Sequence, residues 1–179
     1  MEQTIFRMQK AIVLIVFMFL SFNSLEIFSQ KDKVPCITEA HQQFDFWLGN
    51  WNVYDIKNKL IGTNTVVKMP NACALQENWS ATQGASKGTS YNYYNAVDKS
   101  WNQVWIDNAG SSLVLKGRYK NNKMVLKSKL IQGNKGTYYN KITWFKNSNG
   151  SVTQLWELLD INNTPFNEIF RGTYKKITK

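Results

Sequence analysis

The chain has 179 residues, with 22 Lys and Arg against 12 Asp and Glu, and a formal charge of +10 with its single His neutral. One histidine and two separated cysteines are a poor donor supply for a metal centre or an imidazole-based nucleophile, so no metal and no cofactor are expected. The basic balance favours anionic partners without naming one.

Residues 1–29 read as a signal peptide: Arg7 and Lys10 precede the apolar run Ala11 to Leu20, and small and polar residues lead on to Ser29. That run falls short of the roughly 20 apolar residues needed to span a bilayer, and no second one follows, so no transmembrane segment is expected in the mature chain. Cleavage is placed before Gln30. With no cysteine at the junction a lipid anchor is not expected, which leaves a periplasmic or extracellular protein. Glu2, Arg7, Lys10 and Glu26 cancel, so the mature part keeps the whole positive balance.

Residues 30–43 form a lead-in, and residues 44–179 one domain. The stretch Glu39 to Leu48 predicts a helical turn, with Phe44, Trp47 and Leu48 at helical spacing and Gly49 as its stop. Export makes Cys36 and Cys73 candidates for a disulfide, the alternative being two buried thiols.

From residue 50 onward, runs rich in Val, Ile, Thr, Tyr, Phe and Trp alternate with Gly, Asn, Asp and Lys clusters. They predict ten strands at 50–57, 63–69, 74–81, 88–95, 101–107, 112–119, 123–131, 137–146, 151–159 and 166–175. Short links such as Asn108-Ala109-Gly110 and Asn121-Asn122 suit hairpins. Consecutive antiparallel strands leave a sandwich or a closed barrel. A single up-and-down all-β barrel of about ten strands with a short N-terminal helical plug is favoured, because closure removes exposed edges. Such a barrel has room for side chains and one small ligand.

The segment Phe44-Asp45-Phe46-Trp47-Leu48-Gly49-Asn50-Trp51-Asn52-Val53 carries a Gly-x-Trp signature at the entry to the first strand, and there the chain resembles lipocalin-like and fatty-acid-binding barrels. The resemblance implies that Trp47, Gly49 and Trp51 close one end: the Trp plugs the barrel and the Gly lets the chain pass beneath it. The pieces Ser90 to Tyr94, Trp101 to Asp107, Ile142 to Trp144, Val152 to Glu157 and Phe170 to Tyr174 are similar to a large group of exported bacterial proteins that share this opening and order. One related family holds haem through a late histidine. Here His41 precedes the first strand, so haem is not expected.

Alternation puts Gln103, Trp105 and Asp107 on one face, and likewise Ser90, Asn92 and Tyr94, then Glu77 with Trp79, then Gln154 with Trp156. These ten residues are the candidate lumen, because a ligand pocket is usually mostly apolar with a few convergent polar groups, and Trp together with Ser, Asn, Gln and Glu fits that mixture. The alternative is that they bond one another in a solid interior. In strand 101–107 the opposite face is Asn102, Val104 and Ile106, and the choice between faces rests on the resemblance. Asp160-Ile161-Asn162 starts like a calcium loop, but Pro165 stands where that loop needs its Gly. Lys116, Arg118, Lys127 and Lys129 alternate along two adjacent strands and predict a basic hairpin face, either a solvated wall or a dock for anionic surfaces.

The leading expectation is an exported binding barrel for a small apolar or amphipathic molecule. The second is an envelope-associated protein docking an anionic membrane or glycan surface; export argues against nucleic acid. The third is an enzyme, which would need interior carboxylates such as Glu77 and Glu157 about 5 to 9 Å apart.

Overall fold

Buried and exposed positions alternate along most strands between Gly49 and Lys176, as they must where one face of a sheet looks into an interior. This computed structural model describes residues 36–133 and 136–177; the expected signal peptide and the first residues of the lead-in lie outside the described residues. The strands are β1 (Gly49–Tyr54), β2 (Leu60–Lys68), β3 (Ala74–Ala81), β4 (Lys87–Asn95), β5 (Ser100–Asp107) and β6 (Ser112–Lys120). They continue as β7 (Lys123–Lys127), β8 (Ile131–Gly133), β9 (Gly136–Lys146), β10 (Val152–Leu159) and β11 (Pro165–Lys176).

Each strand from β1 to β6 pairs antiparallel with the next. β7 then pairs with β9, β9 with β10, β10 with β11, and β11 with β1, so ten strands close into a barrel. The all-β antiparallel barrel expected from the sequence is the fold, and it is compatible with a calycin-like architecture.

The turn chemistry repeats. In the β1–β2, β5–β6 and β10–β11 links, Asp55, Asp107 and Asp160 each accept backbone N–H bonds from the residues two and four positions on, at 2.8 to 2.9 Å. The fourth residue of each loop is left-handed and is Asn58, Gly110 or Asn163, the types that tolerate it. Asp160 therefore serves its own turn. Asn121 and Asn122 both take positive φ, the two-residue hairpin that matches strand twist.

One expected strand is divided. The run 123–131 reads as continuous, but β7 ends at Lys127 because the Ser128 hydroxyl accepts the Asn140 N–H at 2.9 Å and turns to the Lys129 carbonyl. β8 resumes as a short flap hydrogen-bonded to the start of β9.

A one-turn helix, α1 (Glu39–Gln42), and a 3-10 turn (Asp45–Trp47) lead into β1 and form the plug. Phe44 stacks on Trp47 with centroids 5.0 Å apart and meets Trp144 edge-on at 5.2 Å, while Trp51 donates its indole N–H to the Trp47 carbonyl at 2.9 Å. All four residues are fully buried. Gly49, at φ +138, passes between the Trp51 ring and the Lys176 side chain. A disulfide joins Cys36, ahead of α1, to Cys73 between β2 and β3, which ties the plug's leading end to the barrel wall.

Candidate ligand-binding site

Above the plug the interior changes from rings to polar groups. The β3 register brings Glu77 opposite Val66 of β2 and Ser90 of β4, and the β4–β5 register brings Asn92 opposite Gln103. The Glu77 carboxylate accepts from the Asn64 amide at 2.8 Å and from the Ser90 hydroxyl at 2.6 Å. Asn92 donates to Ser90 at 2.8 Å, and Gln103 donates to the Asn92 carbonyl at 2.8 Å. On another stretch of the wall the Tyr174 hydroxyl donates to Gln154.

Every partner of Glu77 is neutral. Burial in that setting pushes its carboxyl from 4.5 up to about 7, against the pull of the two donated hydrogen bonds. Burial, reinforced by the charge of Glu77, holds the Tyr174 hydroxyl well above the usual phenol range.

These groups floor a cavity of about 310 Å³, open toward the end of the barrel opposite the plug. Its walls are Trp79, Trp105, Trp156 and Phe170, with Leu113 and Ile142 between them. Glycines hold two of the indoles back. A methyl group at Gly62 would lie 2.2 Å from the Trp79 ring, and one at Gly88 would lie 2.2 Å from the Trp105 ring. The rings thus rest flat against neighbouring backbone instead of filling the centre. Trp156 is fixed by its indole N–H, which donates to Asn140 at 2.8 Å.

Of the ten lumen candidates, Glu77, Trp79, Gln103, Trp105, Asp107, Gln154 and Trp156 line this one cavity. Ser90 and Asn92 are buried in the floor network. Tyr94 is not part of it: its ring stands 5.1 Å from His41 and 6.1 Å from Trp101, at the plug. A shared face does not imply a shared height. Asp107 sits at the rim, with one carboxylate oxygen taken up by its turn.

Sequence reasoning missed Asn64, Phe170 and Tyr174. Asn64 lies between two threonines in a run without an aromatic, and nothing local marks it. Phe170 and Tyr174 share parity with Gly172 between them, which was a usable signal. Glu157 stands apart from Glu77: it is in an ion pair with Lys141 at 2.9 Å and does not line the cavity.

On the outside, Lys116 faces Lys127 across β6 and β7, and Arg118 faces Val125. Lys129 lies beyond the end of β7, so the expected four-residue alternation stops at three. Lys116 is paired with Asp98 at 2.5 Å, and Lys127 donates to Asn163 while lying 4.2 Å from the centre of the Tyr139 ring.

No protein-family model and no curated protein matches this chain. The cavity's own chemistry therefore carries the functional reading. Among the described residues there is no cluster of three His, Cys, Asp or Glu side chains arranged to hold a metal ion.

Proposed function

We propose that this protein is an exported barrel that holds one small, partly apolar molecule in its open cavity. The observation that carries the reading is the conjunction of aromatic walls kept apart by glycine with a hydrogen-bonded polar floor. A cavity of about 310 Å³ lies at the lower end of ligand-site volumes, roughly 300 to 1,000 Å³, and a mostly apolar lining with few converging polar groups is what such sites share. Export is supported by the Cys36–Cys73 disulfide and by the apolar N-terminal run. Among the described residues no helix is long and apolar enough to cross a membrane.

Three tryptophans in the wall make binding visible by fluorescence. Titration with fatty acids, isoprenoids, small amines and an extract of the source cells is expected to shift or quench emission, and Trp105→Ala should blunt the response. Unchanged emission across the whole panel would remove the reading. A second reading, acid–base catalysis by Glu77, has one observation in its favour, a carboxyl poised near neutrality. It requires a bound substrate whose turnover Glu77→Gln abolishes without weakening binding.

A further inference from the structure

The cavity lies in a chain of charge +10, yet among the described residues no Lys, Arg or His lines it. The charged or acidic groups on its lining are Glu77 in the floor, Asp107 at the rim and the phenol of Tyr174. Among the described residues Glu77 is in no salt bridge, and its two hydrogen-bond donors are an amide and a hydroxyl. Gln103 spends its NH₂ on Asn92 and Ser90, which leaves its carbonyl oxygen, an acceptor. Gln154 is the exception, with its carbonyl occupied by Tyr174 and its NH₂ remaining. Around these stand three indoles and a phenyl ring; Trp79 and Trp105 each rest one face on glycine and leave the other toward the cavity, where the negative quadrupole of such a face attracts a cation within about 6 Å of the ring centre.

From this arrangement we infer that the ligand is an organic monocation, a protonated amine on an apolar body, whose ammonium sits against the Glu77 carboxylate between the tryptophan rings. The inference rests on the binding role proposed above and names the class of ligand. A fatty acid or other anion would bring its charge to a buried carboxylate with no cation to receive it, at a cost in desolvation and repulsion. An ammonium does the reverse, exchanging water for a charge-assisted hydrogen bond and ring faces. Since Glu77 is largely protonated below its raised pKa, cation binding must release that proton and strengthens as pH rises.

The test is a matched series on the intact barrel: 2-phenylethylamine, 2-phenylethanol and phenylacetate, followed by calorimetry and tryptophan emission. The amine is expected to bind at least about tenfold more tightly than the other two. Its affinity should rise about tenfold between about pH 6 and pH 8, as the ionised share of a carboxyl with pKa about 7 grows, whereas the alcohol's should stay flat. In Glu77→Gln both the preference and the pH slope should vanish while the alcohol still binds. Should that variant fail to fold, the wild-type pH slope decides. Preference for the acid or the alcohol, equal affinities, or a flat pH profile for the amine would overturn the inference and leave a binding role standing. Silence from all three while an uncharged or anionic molecule of the wider panel binds overturns it too. Silence from everything removes both readings.

Discussion

The two ends of this barrel are built from the same side chains and come out opposite. At the plug, Phe44, Trp47, Trp101 and Trp144 lie against one another with centroid separations from 5.0 to 5.6 Å where they touch, Trp51 is tied in by its hydrogen bond to the Trp47 carbonyl, and the space is solid. At the open end, Trp79, Trp105, Trp156 and Phe170 surround a cavity. The difference lies in what backs each ring. Plug rings have other rings behind them, so their faces are spent on packing. The Trp79 and Trp105 rings have glycine backbone behind them, so one face remains for something else. A count of aromatics cannot separate a core from a pocket; the residue on the next strand can.

Truncation at the two ends is the strongest way to break that contrast. Trp47→Ala opens a hole in a fully packed cluster and is expected to cost about 3 to 5 kcal/mol. Trp105→Ala removes a half-buried ring beside space that is already empty, and should cost about 1 to 2 kcal/mol. Urea unfolding midpoints at unchanged slope measure both. Equal losses would mean that the open end is packed as tightly as the plug. Next in size is the disulfide. Replacing both Cys36 and Cys73 with Ser frees a loop spanning 37 residues and should cost about 2 to 4 kcal/mol, mostly through the unfolded chain. Because the bond lies at the plug end, the variant's emission response to ligand should be unchanged at temperatures where it is folded.

Most of the fold was legible because two local signals agree in this chain. Side chains alternate with period two, and Asp or Asn followed by a left-handed Asn or Gly punctuates the strands. Ten strand segments follow from these signals alone. The end of β7 does not, because Ser128 replaces a ladder acceptor with its hydroxyl, a contact with Asn140 that lies twelve residues away. The cavity was legible as a set of faces but not as a place. Parity tells which side chains point inward, whereas height along the axis depends on register between strands. Tyr94 therefore fell to the plug and Asn64 was overlooked. The glycines at 62 and 88 read locally as weak points in strands, and only pairing gives them the indoles of Trp79 and Trp105 as partners.

The polar floor separates the two ends, and its pH dependence sharpens the contrast. Unfolded, Glu77 ionises near 4.5; folded, it holds its proton until about pH 7. Across that window the folded state binds the extra proton, so stability falls as pH rises and levels off above about 7, by about 3 kcal/mol in all. Glu77→Gln has no proton to lose. Its stability relative to wild type should climb by about that amount between about pH 4.5 and 7, read from paired denaturation curves. A constant difference would mean that water reaches the carboxylate and that the floor is not dry. The exposed pairs Asp98–Lys116 and Glu168–Arg171 also titrate, but both proteins share them and they cancel.

The smallest effect tests the mechanism of the contrast itself. Gly88→Ala adds a single methyl, 2.2 Å from the Trp105 ring, and the backbone on which it sits cannot retreat without breaking the β4–β5 ladder. The indole must swing into the cavity, at a cost of about 1 to 3 kcal/mol of overpacking strain, and the volume open to ligand shrinks. If the ring is what the methyl strikes, the cost should largely disappear when Trp105→Ala is already present, giving a coupling energy of about 1 kcal/mol or more in the double-mutant cycle. Additive losses would show that Gly88 is needed for its own backbone, through turn or strand geometry, and not as a seat for the ring. In that case the open end owes its cavity to something other than glycine, and the distinction between the two groups of tryptophans would have to be sought in the barrel's width.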